Sequence, residues 1–218
     1  MGFPIFQGYG LSEASPVVSV NPPAKPRNES VGKPLPGCEV RIDNPDDEGI
    51  GEICLRGPNV MMGYYKNEEE TRKVLKDGWL YTGDMGKIDK DGYLYVTGRK
   101  KSVIITKGGK NIYPEELENL LTKSPFIEEC VVTAKAHPRT GRIMLNAIIY
   151  PNYEFIDKYA KEHHIEIDTK TLENLLQKEI DEINKSLPDY KKISGFTIRD
   201  EEFPKTTTQK IKRYLFTE

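Results

Sequence analysis

The spacing of apolar and polar positions changes twice along this chain. Residues 1–36 are rich in glycine, proline and serine and show little periodicity, so they are expected to be loop. From Cys38 the pattern alternates. Cys38, Val40 and Ile42 alternate with polar residues, Asp46-Asp47-Glu48-Gly49 marks a turn, and Glu52-Ile53-Cys54-Leu55-Arg56 alternates again, predicting two strands. Asn67 followed by Glu68, Glu69 and Glu70 predicts a capped helix through Leu75 with acids at its positive end. Asp77-Gly78 and Asp91-Gly92 read as turns, and Tyr93 to Thr97 as a strand.

Beyond Lys101 the period mixes. The expected order is strand 103–106, helix 115–123, strand 129–135, strand 143–150, helix 153–163, helix 170–187 and strand 195–199, enough to close a small α+β core. In the last helix Leu172, Leu175, Leu176, Ile180, Ile183 and Leu187 recur every three or four residues. Thr169 or Thr171 is expected to cap it, and Pro188 to stop it. Burying those side chains at ~1.5–3 kcal/mol each would anchor the helix, so the stripe is core. The punctuation places a boundary near Lys100-Lys101, giving a partial first domain (residues 1–99) and a whole second one (residues 100–218).

Composition narrows the function. With 218 residues, 37% hydrophobic and 30% charged, the chain fits one or two soluble domains. Its 32 lysines and arginines against 34 acids argue for no nucleic-acid partner. No apolar run reaches the ~20 residues of a transmembrane helix, and MGFPIFQGYG lacks the pattern of a signal peptide. Cys38, Cys54 and Cys130 form no CxxC pair and read as buried free thiols of a reducing, cytoplasmic compartment. His137, His163 and His164 have no zinc-site spacing.

Several short segments carry chemistry. Gln7-Gly8-Tyr9-Gly10-Leu11-Ser12-Glu13 offers glycines that permit close backbone approach, a ring face, a hydroxyl and a carboxylate. Tyr81-Thr82-Gly83-Asp84 sets an acceptor-only carboxylate directly after a turn. Gly98-Arg99-Lys100-Lys101 is a basic turn leading through Val103-Ile104-Ile105-Thr106 to Gly108-Gly109, and Asn111 to Glu116 reads as a helix start with Pro114 in its first turn. Pro204-Lys205-Thr206-Thr207-Thr208-Gln209-Lys210-Ile211-Lys212-Arg213 is a cationic tail. Taken singly, these residues also fit a glycine-rich loop, a turn aspartate, a solvated basic turn and an exposed tail. Gly109-Lys110 is followed by Asn111 and Ile104 stands where a phosphate loop needs glycine, so this is no Walker motif.

Taken together and in this order, with Gly51 to Gly57 and Gly63-Tyr64-Tyr65 between the first two, the segments resemble the adenylate-forming (AMP-binding) enzymes, and most nearly long-chain fatty acyl-CoA synthetases. The resemblance implies the end of a large, β-rich, barrel-like first domain followed by a small, complete, mobile α+β domain. It implies that Tyr9 stacks on adenine with Gly10 beside it, Ser12 contacts phosphate, Glu13 holds Mg²⁺, Asp84 takes the ribose hydroxyls, and Val96 and Arg99 flank the nucleotide. Lys101 becomes the hinge, Gly108 and Gly109 line the pantetheine tunnel, and Lys210 carries adenylation by meeting charge at the α-phosphate. Ser12 stands where the family usually has Thr, and Gln209 where it usually has Gly before the lysine.

The implied reaction is fatty acid plus ATP to acyl-AMP, then thioester formation with CoA, using ATP, Mg²⁺ and CoA. The family's Ser/Thr/Gly-rich loop ending in lysine has no counterpart here, so the chain alone is expected to be nearly inactive. Two alternatives stand beside this reading. One is a non-catalytic fragment or split-enzyme subunit that binds a complementary N-terminal chain. The other is an amino-acid-activating domain that serves a carrier protein.

Overall fold

A computed structural model describes residues 3–137 and 139–216. It is a mixed α+β structure in two compact units, Met1–Lys101 and Ser102–Glu218.

The first unit begins with a sheet where a loop was expected. β1 (Gly8–Gly10), β2 (Val17–Val20) and β3 (Lys33–Pro34) pair antiparallel in that order. Strands this short, built partly from glycine and proline, present too few alternating side chains to show a period. β1 also has a register shift between Tyr9 and Gly10. A Cβ on Gly10 would lie 1.8 Å from the Pro16 carbonyl oxygen, so strand pairing itself demands glycine there.

A five-stranded antiparallel sheet follows, built from β4 (Glu39–Asp43), β5 (Gly51–Arg56), β6 (Leu75–Lys76), β7 (Trp79–Ile88) and β8 (Leu94–Arg99). β5 pairs one edge of β7, while β6 and β8 divide the other. No closed barrel forms among the described residues; β4 pairs only β5 and leaves the sheet open. β5 was expected to alternate, yet Gly51 to Leu55 are all buried, because it is flanked by β4 and β7 and packed by the unit's core. That core is Ala14, Val18, Cys38, Ile53, Leu55, Leu80 and Leu94. Helix α1 (Glu68–Val74) starts as expected, with the Asn67 side chain accepting from the Glu70 amide at 3.2 Å.

In the second unit β9 (Ile104–Ile105) and β10 (Asn111–Ile112) form a hairpin that closes before α2 (Pro114–Leu121). Asn111 and Ile112 therefore belong to a strand and not to the helix start. Gly109, at φ +73°, turns the chain back so that they pair with Ile105 and Ile104. β11 (Ile127–Ala136), β12 (Ile143–Pro151) and β13 (Ile193–Ile198) make a three-stranded sheet, antiparallel then parallel, with α3 (Tyr153–His163) and α4 (Thr169–Ser186) in the crossover between β12 and β13.

Leu172, Leu176 and Ile180 of α4 join Leu117, Leu121, Val132, Leu145 and Ile149 in the core, with Ile183 and Leu187 packed against it. The cap of α4 is Asp168, whose carboxylate accepts from the Thr171 amide at 2.7 Å. Thr169 is already helical, and Asp168 has the extended backbone that an N-cap requires. The tail after β13 buries Phe203 and turns back on itself through a bridge between Lys205 and Ile211.

Candidate functional site

In the first unit the structure joins Tyr9, Asp84 and Arg99. Register pairs Asp84 on β7 with Arg99 on β8, and the arginine Nε lies 2.8 Å from the Asp84 Oδ1. Tyr9 on β1 donates its hydroxyl to the Asp84 Oδ2 at 2.6 Å. Asp84 is only 8% exposed, so this carboxylate is held in place on both oxygens. Burial, then the Asp84 charge, pushes the Tyr9 phenol well above its ordinary range, so it remains a proton donor at neutral pH. A carboxylate has about four lone-pair sites. Two are taken by Tyr9 and Arg99, which leaves acceptor capacity for a pair of vicinal hydroxyls.

The turn that aims Asp84 is built from its neighbours. The Thr82 hydroxyl donates to the Ile53 carbonyl at 2.8 Å and accepts from the Asp84 amide at 3.0 Å. Glu52, 7% exposed, accepts from the Gly83 amide at 3.1 Å and binds the Lys100 ammonium at 2.6 Å. That carboxylate holds Lys100 above its usual range. The supporting role of Glu52 was not apparent from the sequence, where it reads as one outward position of an alternating strand. Its burial, unusual for a glutamate inside β5, follows from the pairing of β5 on both edges.

Ser12 and Glu13 lie on a one-turn 3-10 helix, Ser12–Ala14, between β1 and β2. The Glu13 Oε1 accepts from the Tyr64 hydroxyl at 3.0 Å, and its carbonyl accepts from the Met61 amide at 2.8 Å. Burial and the Glu13 carboxylate raise the Tyr64 phenol. Among the described residues no group of three or more His, Cys, Asp or Glu could hold a metal. One half-exposed carboxylate suits a Mg²⁺ that arrives with phosphates and keeps its waters, and does not suit a metal caged by protein. Val96, on β8 opposite Gly86, is half-buried against the unit's core. Lys101 is exposed in the 3-10 turn Lys100–Ser102 that ends the unit.

In the second unit Gly108 and Gly109 form the exposed tip of the β9–β10 hairpin, closed by the Gly109 amide on the Thr106 carbonyl at 2.9 Å. Among the described residues nothing lies within 4 Å of a Cβ built on either glycine. Lys210 sits in a separate hairpin. Its carbonyl accepts from the Thr206 amide at 2.8 Å and its amide donates to the Thr206 hydroxyl at 3.2 Å. Its side chain is exposed, and Gln209 before it adopts φ +60°.

Residues 1–65 match the profile of the AMP-binding enzyme family, and residues 116–210 match the AMP-binding enzyme C-terminal domain. The chain belongs to the AMP-binding, adenylate-forming enzyme family.

Among AMP-binding relatives, an indoleacetate–CoA ligase of Aromatoleum aromaticum is 43% identical over 155 residues, covering 68% of this chain and 30% of the relative. A long-chain-fatty-acid–CoA ligase of Gallus gallus is 44% identical over 134 residues, covering 61% of this chain and 18% of the relative. The o-succinylbenzoate CoA synthetase of Bacillus subtilis, solved with its acyl-adenylate intermediate, superposes with TM-score 0.76 at 31% identity, covering 98% of this chain and 41% of that one. The same synthetase has been solved with ATP and a magnesium ion. The chain thus spans between about a fifth and two-fifths of the relatives it matches.

Proposed function

We propose that this chain carries the nucleotide-facing end and the small domain of an ATP-dependent acyl-CoA ligase. It would act on a carboxylic acid of the fatty-acid class, first as acyl-adenylate and then as thioester. The observation that carries the reading is Asp84, a buried carboxylate fixed by Tyr9 and Arg99 with acceptor capacity left for a ribose diol. Tyr9, with its hydroxyl tied down, presents a ring face for adenine; Gly10 and Ser12 follow it toward the phosphates, and Val96 and Arg99 flank the nucleotide. Glu13 is the oxygen ligand for Mg²⁺, which supplies charge neutralisation of the triphosphate when bound.

In the second unit an ammonium at Lys210, on a short hairpin, would meet negative charge developing at the α-phosphate. Gly108 and Gly109 would let the pantetheine arm of CoA pass. Lys101, at the end of the first unit, is the hinge. The fatty-acid class is supported by the names of the long-chain relatives, and the use of ATP and Mg²⁺ by the Bacillus subtilis complexes.

AMP titrated into the 218-residue chain and followed by ligand-observed NMR should bind weakly and reversibly, while ATP–pyrophosphate exchange stays at background. Absence of AMP binding would overturn the nucleotide site. Exchange at ordinary enzymatic rates would overturn the view that these residues supply only part of the machinery.

A further inference from the structure

The Lys210 hairpin is held at both feet by ion pairs that the sequence gives no hint of. On the incoming side, Lys205 lies 2.7 Å from Glu129 of β11, and the amide of buried Phe203 donates to the same carboxylate at 3.4 Å. On the outgoing side, Arg213 pairs with Glu118 of α2, with both side chains largely buried. Between the feet, the Lys205–Ile211 bridge and the Lys212 amide on the Pro204 carbonyl at 2.8 Å close the hairpin.

The Glu118–Arg213 pair does more than join two charges. Among the described residues β11 is an edge strand, paired with β12 on one side only, so its outward amides and carbonyls need partners. The Val132 amide donates to Glu118 at 2.6 Å, and the Arg213 Nη2 donates to the Val132 carbonyl at 3.5 Å. The Arg213 Nε also faces Glu115, at 4.0 Å. One guanidinium therefore meets two carboxylates of α2 and one carbonyl of the sheet edge, a fan of donors that lysine cannot reproduce.

We propose that Glu118 and Arg213 are positioning residues for Lys210: their ion pair pins the foot of the hairpin to α2 and the β11 edge and so fixes where the ammonium is presented. The proposal rests on the reading of Lys210 as the adenylation lysine. Arg213 stands three positions beyond Lys210, and the bridge between Lys205 and Ile211 leaves little slack between them. Without the pair, the hairpin keeps its internal hydrogen bonds but loses its outgoing anchor, and the lysine samples a wider volume.

Amide hydrogen exchange by NMR on the 218-residue chain tests this through the Thr206, Gln209, Lys210 and Lys212 amides, with the amides of the β11–β12 ladder as the internal control and the Val132 amide, which donates to Glu118, left out of it. In Arg213→Met the hairpin amides should exchange about tenfold faster or more while the amides of the β11–β12 ladder keep their protection. Glu118→Gln should do the same, and the double variant should exchange no faster than Arg213→Met, because both act through one pair. Hairpin amides unchanged in Arg213→Met, effects that add in the double variant, or a wild-type hairpin already exchanging at the unprotected rate would each overturn the proposal. Should Glu118→Gln not fold, Arg213→Met still decides, since it keeps the aliphatic stem and removes only the guanidinium. The readout is hairpin order, so it stands whether or not Lys210 proves to act in adenylation. That chemistry is decided separately, by pyrophosphate exchange in an enzyme carrying a Lys210 substitution.

Discussion

Replacing Asp84 with alanine separates what the carboxylate does for the fold from what it does for a ligand. The Tyr9 hydroxyl, at 2.6 Å and half-buried, makes a hydrogen bond to a charged acceptor, which contributes ~1.5–3 kcal/mol. The Arg99 side chain is 58% exposed, so it rehydrates when its partner goes, and that pair contributes only ~0.2–1 kcal/mol. Against these stands the relief of removing a charge from a site 8% exposed, so the net loss for Asp84→Ala is expected near ~1–3 kcal/mol. Urea denaturation of the whole chain measures it.

The ligand effect is read as a preference ratio. Wild type should bind AMP at least about a hundredfold more tightly than 2′,3′-dideoxy-AMP, the value of two hydrogen bonds to a charged acceptor at ~1.5 kcal/mol or more each. Asp84→Ala should bind both equally, and Tyr9→Phe should lose stability but keep the preference. An alanine variant that still prefers the diol would show that Asp84 is only a structural acceptor for Tyr9 and Arg99, and the ribose assignment would fall.

Two further outcomes follow from strain and from burial. Gln209 at φ +60° occupies the left-handed region, where a side chain costs ~1 kcal/mol and glycine nothing, so Gln209→Gly should hold the Lys210 hairpin about 1 kcal/mol more firmly than Gln209→Ala; equal proteolysis at Lys210 in the two variants would refute this. Stability should fall on the alkaline side, because Cys54, ordinarily near 9, is pushed up to about 11 by burial, and burial raises Cys130 and Tyr9 in the same sense. The unfolded thiol ionises first, so stability that is full below pH 9 is lost as pH rises toward 11, by about 2 kcal/mol near pH 10.5 for Cys54. A urea midpoint that holds or rises from pH 8 to 10.5, or a Cys54→Ala variant with the same slope, would contradict it.

How much was legible depended on how far each feature relied on local pattern. The helical stripe of α4, the Asn67 cap and the long strands β11 and β12 stand in the sequence because each repeats a period over many residues or pairs a cap with its helix start. The β1–β2–β3 sheet did not, since its strands have two to four residues and are specified by backbone approach at Gly10 and not by side chains. For the same reason β10 was hidden inside an apparent helix start, where the deciding residue is Gly109. Within the site, Asp84 and Arg99 could be named from motifs, but Glu52 and Glu118 could not. Glu52 is buried and Glu118 largely so, with partners 31 and 95 positions away, and no spacing rule reaches that far.

The glycines of the motifs carry one more distinction. Gly10 and Gly109 are required by the chain itself, the first by a backbone oxygen 1.8 Å from where its Cβ would stand, the second by its positive φ. Finding glycine at either position is therefore weak support for a ligand. Gly108 differs: its φ is not in the left-handed region, and among the described residues nothing lies within 4 Å of its missing Cβ. An alanine there would cost the fold nothing and would recover the ~0.5–1 kcal/mol that glycine loses in backbone entropy. The proposed passage of a pantetheine arm close to the backbone would give this glycine a use that the fold does not. Of Gly10, Gly108 and Gly109, Gly108 is the one that neither a close contact nor a positive φ requires.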